Sequence, residues 1–537
     1  MKKIIELENV RFRYKNSENV LNNISVNIYR GEKVAIIGKS GAGKTTLLYC
    51  LNKIIVKAMG EISTGSVYIN GGNINTFEVS KNVQLIATIL DDFLIQRCTS
   101  TVWKELVFLM ENLGFEENTI MERLREVVEF FQLEKLLDRT LSGLSGGECQ
   151  KVIIASFLIL KPEVICMDNI GAELDGENKK LLYSLLNLYH EKYNATVIAV
   201  ENDAKYFEYY DRVLVVDEGK IIADTIPREL ALREEFSNYF ENTNLVVPQI
   251  CWHYNIDVPD NIFLTETNMI FLKTKLKHKI NTKVYEDAQQ KKKKIVLDLK
   301  NVSFGYGKEN VLENVNLKIH SGDFLGIIGR NGQGKTSLLK LLCGLNNLVS
   351  GSVNIMANSI GIVFQTVECQ FFNVSVKEEV SQFLDNTQCL DEILSEVGLK
   401  GKEDKDPLLL TKGERKRLAI AMILAQKKEI ILLDEPTSGL SFDEVQRLKE
   451  ILRKLNSAGK TILLVSHDYN FIIQNCTSLV VVNNKKVTGP IDIKEFFTEY
   501  HFDLMEKESL PDIVTLSQYL GNAVLSLEEF YEKFEKL

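Results

Sequence analysis

One half of this chain is written again in the other. The stretch LENVRFRYKNSENVLNNISVNIYRGEKVAIIGKSGAGKTTLL, beginning at Leu7, returns as LKNVSFGYGKENVLENVNLKIHSGDFLGIIGRNGQGKTSLL from Leu299. Further along, LSGGECQKVIIA from Leu144 returns as LTKGERKRLAIA from Leu410, and EVICMDNIGAELD from Glu163 as EIILLDEPTSGLS from Glu429. The separation from motif to aspartate is the same in both halves (168 − 144 = 434 − 410 = 24). Self-similarity over this span means that one structural unit is built twice. At 537 residues the chain is also too long for a single hydrophobic core. We place the first unit at residues 1–226, a linker or appendage at 227–294, the second unit at 295–490 and a C-terminal appendage at 491–537. LVVPQI at Leu245 is echoed by SLPDIVTL at Ser509, so each unit carries its own appendage; the run QQKKKK at Gln289–Lys294 reads as a solvated linker end.

Each half opens with short alternating strands. An apolar strand follows (Lys33–Ile37; Phe324–Ile328) that runs into a glycine-rich loop and a helix. The later apolar runs Val164–Met167, Val197–Val200 and Val213–Val216 read as buried parallel strands, matched by Ile430–Leu433, Ile462–Val465 and Leu479–Val482. The fold class is α/β.

Apolar residues at 45% and charged residues at 26% are ordinary for globular chains. The net charge of −9 argues against nucleic acid as the ligand, which is held largely through clustered Lys and Arg. No apolar run approaches the length of a membrane span, and the N-terminus has no apolar core of a secretory signal, so a membrane role is expected to be peripheral. The nine cysteines stand singly with no CxxC pair, which suggests neither zinc nor a disulfide framework. Cys149 reads as a small helix residue, and His190, His253, His278, His320 and His501 lie outside every motif and read as structural.

The two glycine-rich loops, Gly38–Thr45 and Gly329–Thr336, fit the phosphate-loop pattern, in which backbone N–H groups close around phosphate oxygens at a helix N-terminus. Nucleotide contacts are expected from Gly38, Ser40, Gly41, Gly43, Lys44, Thr45 and Thr46, and from Gly329, Asn331, Gly332, Gly334, Lys335, Thr336 and Ser337. Lys44 and Lys335 reach the β and γ phosphates, with Thr45 and Thr336 on Mg²⁺. Four apolar residues ending in Asp434-Glu435 put one carboxylate where it can hold Mg²⁺ and a second where it can polarise the attacking water.

With these motifs in one chain, the sequence resembles the ATP-binding-cassette family, whose signature is matched by LSGGE at Leu144–Glu148. The resemblance implies two tandem nucleotide-binding domains, each a RecA-like parallel sheet with an antiparallel β subdomain and a helical subdomain. It further implies two composite ATP sites, each joining one unit's phosphate loop to the other unit's signature. The site based on the second unit then has Lys335, Thr336, Asp434, Glu435, Gln365 in GIVFQ, His467 in LLVSHD and Tyr306 as adenine platform, served by Ser145, Gly146, Gly147 and Glu148. Mg²⁺ there falls to Thr336, Gln365 and Asp434. The site based on the first unit keeps Lys44, Thr45, Asp168 and Tyr14, with Mg²⁺ on Thr45 and Asp168. However, Asn169 stands for Glu435, Asn202 for His467 and Asp91 for Gln365, and its signature, Thr411-Lys412-Gly413-Glu414, departs from the family pattern at two positions. An amide cannot accept the proton, so this site is expected to bind MgATP and turn over poorly, unless a neighbour such as Asp175 serves as base.

The segments TSTVWKELVFLMENLGF and NVSVKEEVSQFL, after Asp91 and Gln365, look like the TVxEEVAFGLxNLG stretch of energy-coupling-factor importers and their cobalt-type relatives. That likeness implies a transmembrane coupling subunit and a separate substrate-binding membrane subunit as partners, ATP and Mg²⁺ as cofactors, and a location on the cytoplasmic side of the membrane. A soluble ribosome-acting ATPase and an exporter ATPase are the alternatives.

Overall fold

The computed structural model describes residues 2–15, 18–39, 41–91, 93–171, 174, 176–233, 236, 245–279, 294–306, 309–356, 359–384, 389–499, 510–521 and 524–537. Ser40, Asp175, His501 and most of the lysine run therefore lie outside the described residues. The chain divides into two compact units, Met1–Asn268 and Met269–Leu537.

In the first unit a six-stranded sheet runs in the order Lys220–Thr225, Arg212–Asp217, Lys33–Ile37, Thr196–Val200, Val164–Asp168, Ile86–Ile89. All neighbours are parallel except the edge strand Lys220–Thr225. The second unit repeats the order with Lys486–Asp492, Ser478–Asn483, Phe324–Ile328, Thr461–Val465, Ile430–Asp434 and Ile360–Val363. Each apolar run picked out above is a strand whose ends agree with the reading to within one residue. Val164–Asp168 and Ile430–Asp434 are buried along their whole length, as strands covered on both faces must be.

The period of two sorts the side chains. In Lys33–Ile37, Val34 and Ile36 face the core shared with the antiparallel sheet, where Phe12, Leu48 and Val216 lie, while Ala35 and Ile37 face the helical layer of Leu106, Ile154 and Leu186. The antiparallel sheet of the first unit pairs Lys3–Tyr14 with Asn19–Tyr29 and Gly60–Ile69. Its counterpart pairs Ile295–Tyr306 with Glu309–His320 and Ser350–Ile355. Each unit is thus an α/β domain with a parallel core, an antiparallel sheet and helices.

Beyond the nucleotide core, Leu230, Leu245 and Ile262 are buried in the first unit's core, beside the helix Val246–His253. Leu276–His278 instead pairs with Phe534–Lys536 inside the second unit, where His278 Nε2 donates to the Leu520 carbonyl at 2.9 Å. Among the described residues no helix is long and apolar enough to cross a membrane.

Candidate nucleotide site

Each phosphate loop is shaped by glycines that cannot be replaced. Gly38 and Gly329 have φ of 151° and 150°, and a Cβ on either would strike the carbonyl of Val216 or Val482 on the neighbouring strand. Gly43 and Gly334, also left-handed, start the helices Lys44–Tyr49 and Lys335–Leu342. The buried Lys44 Nζ donates to the Gly38 and Lys39 carbonyls at 2.7 and 2.9 Å; Lys335 Nζ donates to those of Gly329 and Arg330 at 2.6 and 3.2 Å. Gly41 and Gly332 keep open space around their α-carbons, and Asn331 lies on the exposed side of its loop.

The strand ends bring a carboxylate to each loop. Thr45 Oγ1 donates to Asp168 Oδ1 at 3.0 Å, and Thr336 Oγ1 to Asp434 Oδ1 at 3.1 Å. A hydroxyl oxygen beside a carboxylate, close to a phosphate-binding loop, is the hard-oxygen donor set that suits Mg²⁺. The electrostatics differ between units. Burial, with Asp91 as a second carboxylate nearby, pushes Asp168 up to about 6. Burial also raises Asp434, but the Thr336 hydroxyl and the ammonium groups of Lys340, Lys335 and Lys416 pull it back. Lys340 is matched in the first unit by Tyr49 (340 − 49 = 335 − 44 = 291), whose hydroxyl donates to Asp168 Oδ2 at 3.4 Å. The alignment of the two loops carries that exchange of an ammonium for a phenol.

Glu435 and Asn169 occupy one backbone position. Their φ values are 47° and 50°, and their N–H groups donate to Val465 and Val200 at 2.9 and 3.1 Å. The side chains then diverge. Glu435 Oε2 accepts from the His467 N–H at 3.2 Å and Oε1 lies 3.2 Å from His467 Nε2. Burial pushes its carboxyl up to about 8, opposed by Lys335. In the first unit, the N–H of Asn202 is taken at 2.9 Å by Glu201, which stands where the second unit has Ser466, and the same oxygen accepts from Asp203 N at 2.8 Å. Glu201 is buried, receives the Tyr183 hydroxyl and lies 3.6 Å from Lys179 Nζ. A carboxylate has moved from one strand end to the next and been tied down there. Sequence comparison marked Asn169 and Asn202 but missed Glu201, whose partners come from the preceding helix.

The equivalence of Asp91 and Gln365 is fixed by a pair of clamps. Gln96 accepts from Leu90 N at 2.9 Å and donates to the Thr88 carbonyl at 3.0 Å; Gln370 accepts from Phe364 N at 3.0 Å and donates to the Ile362 carbonyl at 2.9 Å. The offset of 274 residues (370 − 96) equals 365 − 91. It also equals 379 − 105, and Glu105 and Glu379 each accept from two backbone N–H groups of the segment that precedes them, Cys98 and Thr99 in one unit and Phe372 and Asn373 in the other.

The signature segments open the helices Gly146–Leu158 and Lys412–Ala425. Ser145 and Thr411 cap them, with Glu148 and Glu414 closing capping boxes, so the change from Ser to Thr is neutral locally. Gly146 has open space where the second unit carries Lys412, whereas a Cβ on Gly413 would strike Glu444. Gly147 faces Asn178. The tyrosines sit alike: Tyr14 packs edge-on against Phe12 with its hydroxyl 2.8 Å from Thr46 Oγ1, and Tyr306 packs against Phe304 with its hydroxyl 3.4 Å from Ser337 Oγ. Tyr306 is 57% exposed, which leaves its ring face available.

A family model described as ABC transporter matches residues 21–171 and 312–438. A protein of Caldanaerobacter subterraneus subsp. tengcongensis, whose name is that of an ABC transporter ATP-binding protein, is 31% identical over 561 residues, covering 98% of each chain. Among solved structures, cbiO1 of Clostridium perfringens, part of the ABC transporter complex cbiONQ, is 27% identical over 47% of this chain and 98% of its own, with a TM-score of 0.41. A chain in a model of ribosome-bound archaeal Pelota and ABCE1 aligns over 96% of this chain and 86% of its own at 22% identity and a TM-score of 0.63, a likeness of fold.

Proposed function

The chain belongs to the ABC transporter family, and on that premise we propose that it is the energy-coupling ATPase of an importer of the energy-coupling-factor type, with one site built for hydrolysis and one for nucleotide binding. The observation that carries the division is the meeting of Glu435 and His467 in the second unit, against Asn169, Asn202 and the tied-down Glu201 in the first.

In the second unit the phosphate loop and Lys335 bind the triphosphate, and Thr336 and Asp434, whose oxygens meet there, would hold Mg²⁺ together with Gln365. Mg²⁺, when bound, neutralises charge on the phosphate oxygens. Glu435 orients the attacking water and accepts its proton, and His467 donates to the γ-phosphate. Tyr306 supports the adenine. In the first unit Lys44, Thr45, Asp168 and Tyr14 bind MgATP without a base to activate water.

Transport coupling is supported by the names of the relatives, which align over nearly the whole chain. The importer type is supported by the stretches after Asp91 and Gln365, now seen as helices Val102–Asn112 and Val376–Ser381 anchored by Glu105 and Glu379. The partners are a transmembrane coupling subunit and a substrate-binding subunit for a vitamin or metal ion, with this chain peripheral on the cytoplasmic face. Residues 227–294 and 491–537 serve as appendages to the cores 1–226 and 295–490, joined in the second unit through Leu276–His278 and Phe534–Lys536.

Glu435→Gln is expected to abolish steady-state ATP hydrolysis, and Asn169→Ala to change it by less than about twofold; comparable losses would refute the division. Purification from detergent-solubilised membranes is expected to bring down integral membrane subunits. Recovery with ribosomes and no membrane protein would overturn the importer reading.

A further inference from the structure

The second unit's signature helix buries a lysine where the first unit has a glutamine. Lys416 and Gln150 are counterparts (416 − 150 = 434 − 168 = 266), each two positions after the signature glutamate. Lys416 is 6% exposed, and its Nζ donates to the carbonyls of Glu435 at 2.9 Å, Pro436 at 3.0 Å and Ser438 at 2.7 Å. All three donors of the ammonium are used on the turn that follows the carboxylate. In the first unit the Gln150 amide donates to the carbonyl of Ile170, the counterpart of Pro436, and its own oxygen accepts nothing among the described residues.

Taking an ammonium out of water is expensive unless it is fully hydrogen-bonded. The fold at this position does not require one, since the first unit closes the same junction with a neutral amide. What distinguishes the second unit is the residue held there, a glutamate at φ 47° where the first unit has Asn169 at φ 50°, and asparagine tolerates left-handed backbone better than glutamate does. Left-handed backbone at such a residue persists only where the surroundings over-determine it. The three carbonyls that converge on Lys416 begin with that of Glu435, so the ammonium fixes the peptide planes on the C-terminal side of the carboxylate, while Val465 fixes its N–H on the other.

We propose that Lys416 is a positioning residue for ATP hydrolysis, holding the Glu435–Ser438 turn so that the Glu435 carboxylate stays aimed beside His467. This rests on the reading of Glu435 as the base.

The test uses the full chain with Mg²⁺ and ATP, comparing Lys416→Gln, which installs the first unit's amide, with Lys416→Met, which leaves no donor. Turnover is normalised to nucleotide bound per folded chain, and Glu435→Gln is run alongside. The expected result is a graded fall in kcat, about tenfold for Lys416→Gln and more for Lys416→Met, with KM for ATP within twofold of the parent. Unchanged kcat in both variants would overturn the proposal, as would a rise in KM that accounts for the loss. If neither variant folds, Lys416 is a folding residue and the proposal is overturned. Persistent hydrolysis by Glu435→Gln would instead overturn the underlying assignment of the base.

Discussion

Glu435 and Asn169 hold the same left-handed backbone, and the two side chains tolerate it differently. Asparagine visits this region readily, whereas glutamate does so at a cost of about 1 kcal/mol or more. Glu435 carries a second burden, since burial raises its carboxyl from the ordinary 4.5 to about 8. Between those two values the folded chain keeps a proton that the unfolded chain has released, so stability falls as pH rises through that window, by on the order of 1 kcal/mol per pH unit. Glu435→Gln removes the titrating group. Its stability advantage over the parent, read as the difference in urea midpoint, is therefore expected to grow steadily from pH 5 to pH 8; a constant difference would show that the carboxyl titrates normally. The same shift predicts that turnover climbs with pH across neutrality, because the base must be ionised to accept a proton. Both units thus show backbone strain at one position, but only the second adds a buried acid to it.

At the level of elements, the sites are made by the ends of two adjacent strands, Val164–Asp168 beside Thr196–Val200 and Ile430–Asp434 beside Thr461–Val465. In the second unit the carboxylate of one strand end receives the N–H beyond the other. In the first, Glu201 supplies that acceptor from its own strand and is held by Tyr183 and Lys179. Restoring the missing acid alone should therefore fail, because its landing place is occupied by a like charge. With the second site silenced by Glu435→Gln, Asn169→Glu is expected to leave hydrolysis undetectable. Adding Glu201→Ser, Asn202→His and Asp91→Gln should bring measurable phosphate release. Activity in the single Asn169→Glu chain would show that Glu201 does not block it. The strands themselves were legible because continuous runs of Val, Ile and Leu have few other uses, and the loop-to-strand spacings fixed which acid meets which hydroxyl. Glu201, Lys416 and the paired clamps Gln96 and Gln370 were not legible: Lys416 reaches the carbonyls of a turn on another element, Glu201 is held by Tyr183 and Lys179 from the preceding helix, and the clamps close a loop that carries no motif of its own.

For the whole molecule, the internal repeat made the architecture readable before any single residue did, and the two units carry the same sheet order. The appendages were harder to read, because Leu276–His278 finds its partner strand at Phe534–Lys536, far along the chain. Duplication followed by divergence leaves two intact phosphate loops with different chemistry behind them, and this predicts how many nucleotides the chain holds and in what form. After incubation with labelled ATP and Mg²⁺ and rapid desalting, Glu435→Gln is expected to retain two nucleotides per chain, both as ATP. Adding Lys44→Ala, which removes the buried ammonium between the Gly38 and Lys39 carbonyls, should leave one. The parent chain, sampled after a single turnover, should yield ADP and ATP in equal amounts, the ATP coming from the first unit. ADP alone would mean that the first unit hydrolyses despite Asn169, and one nucleotide in Glu435→Gln would mean that its loop is no longer a nucleotide site.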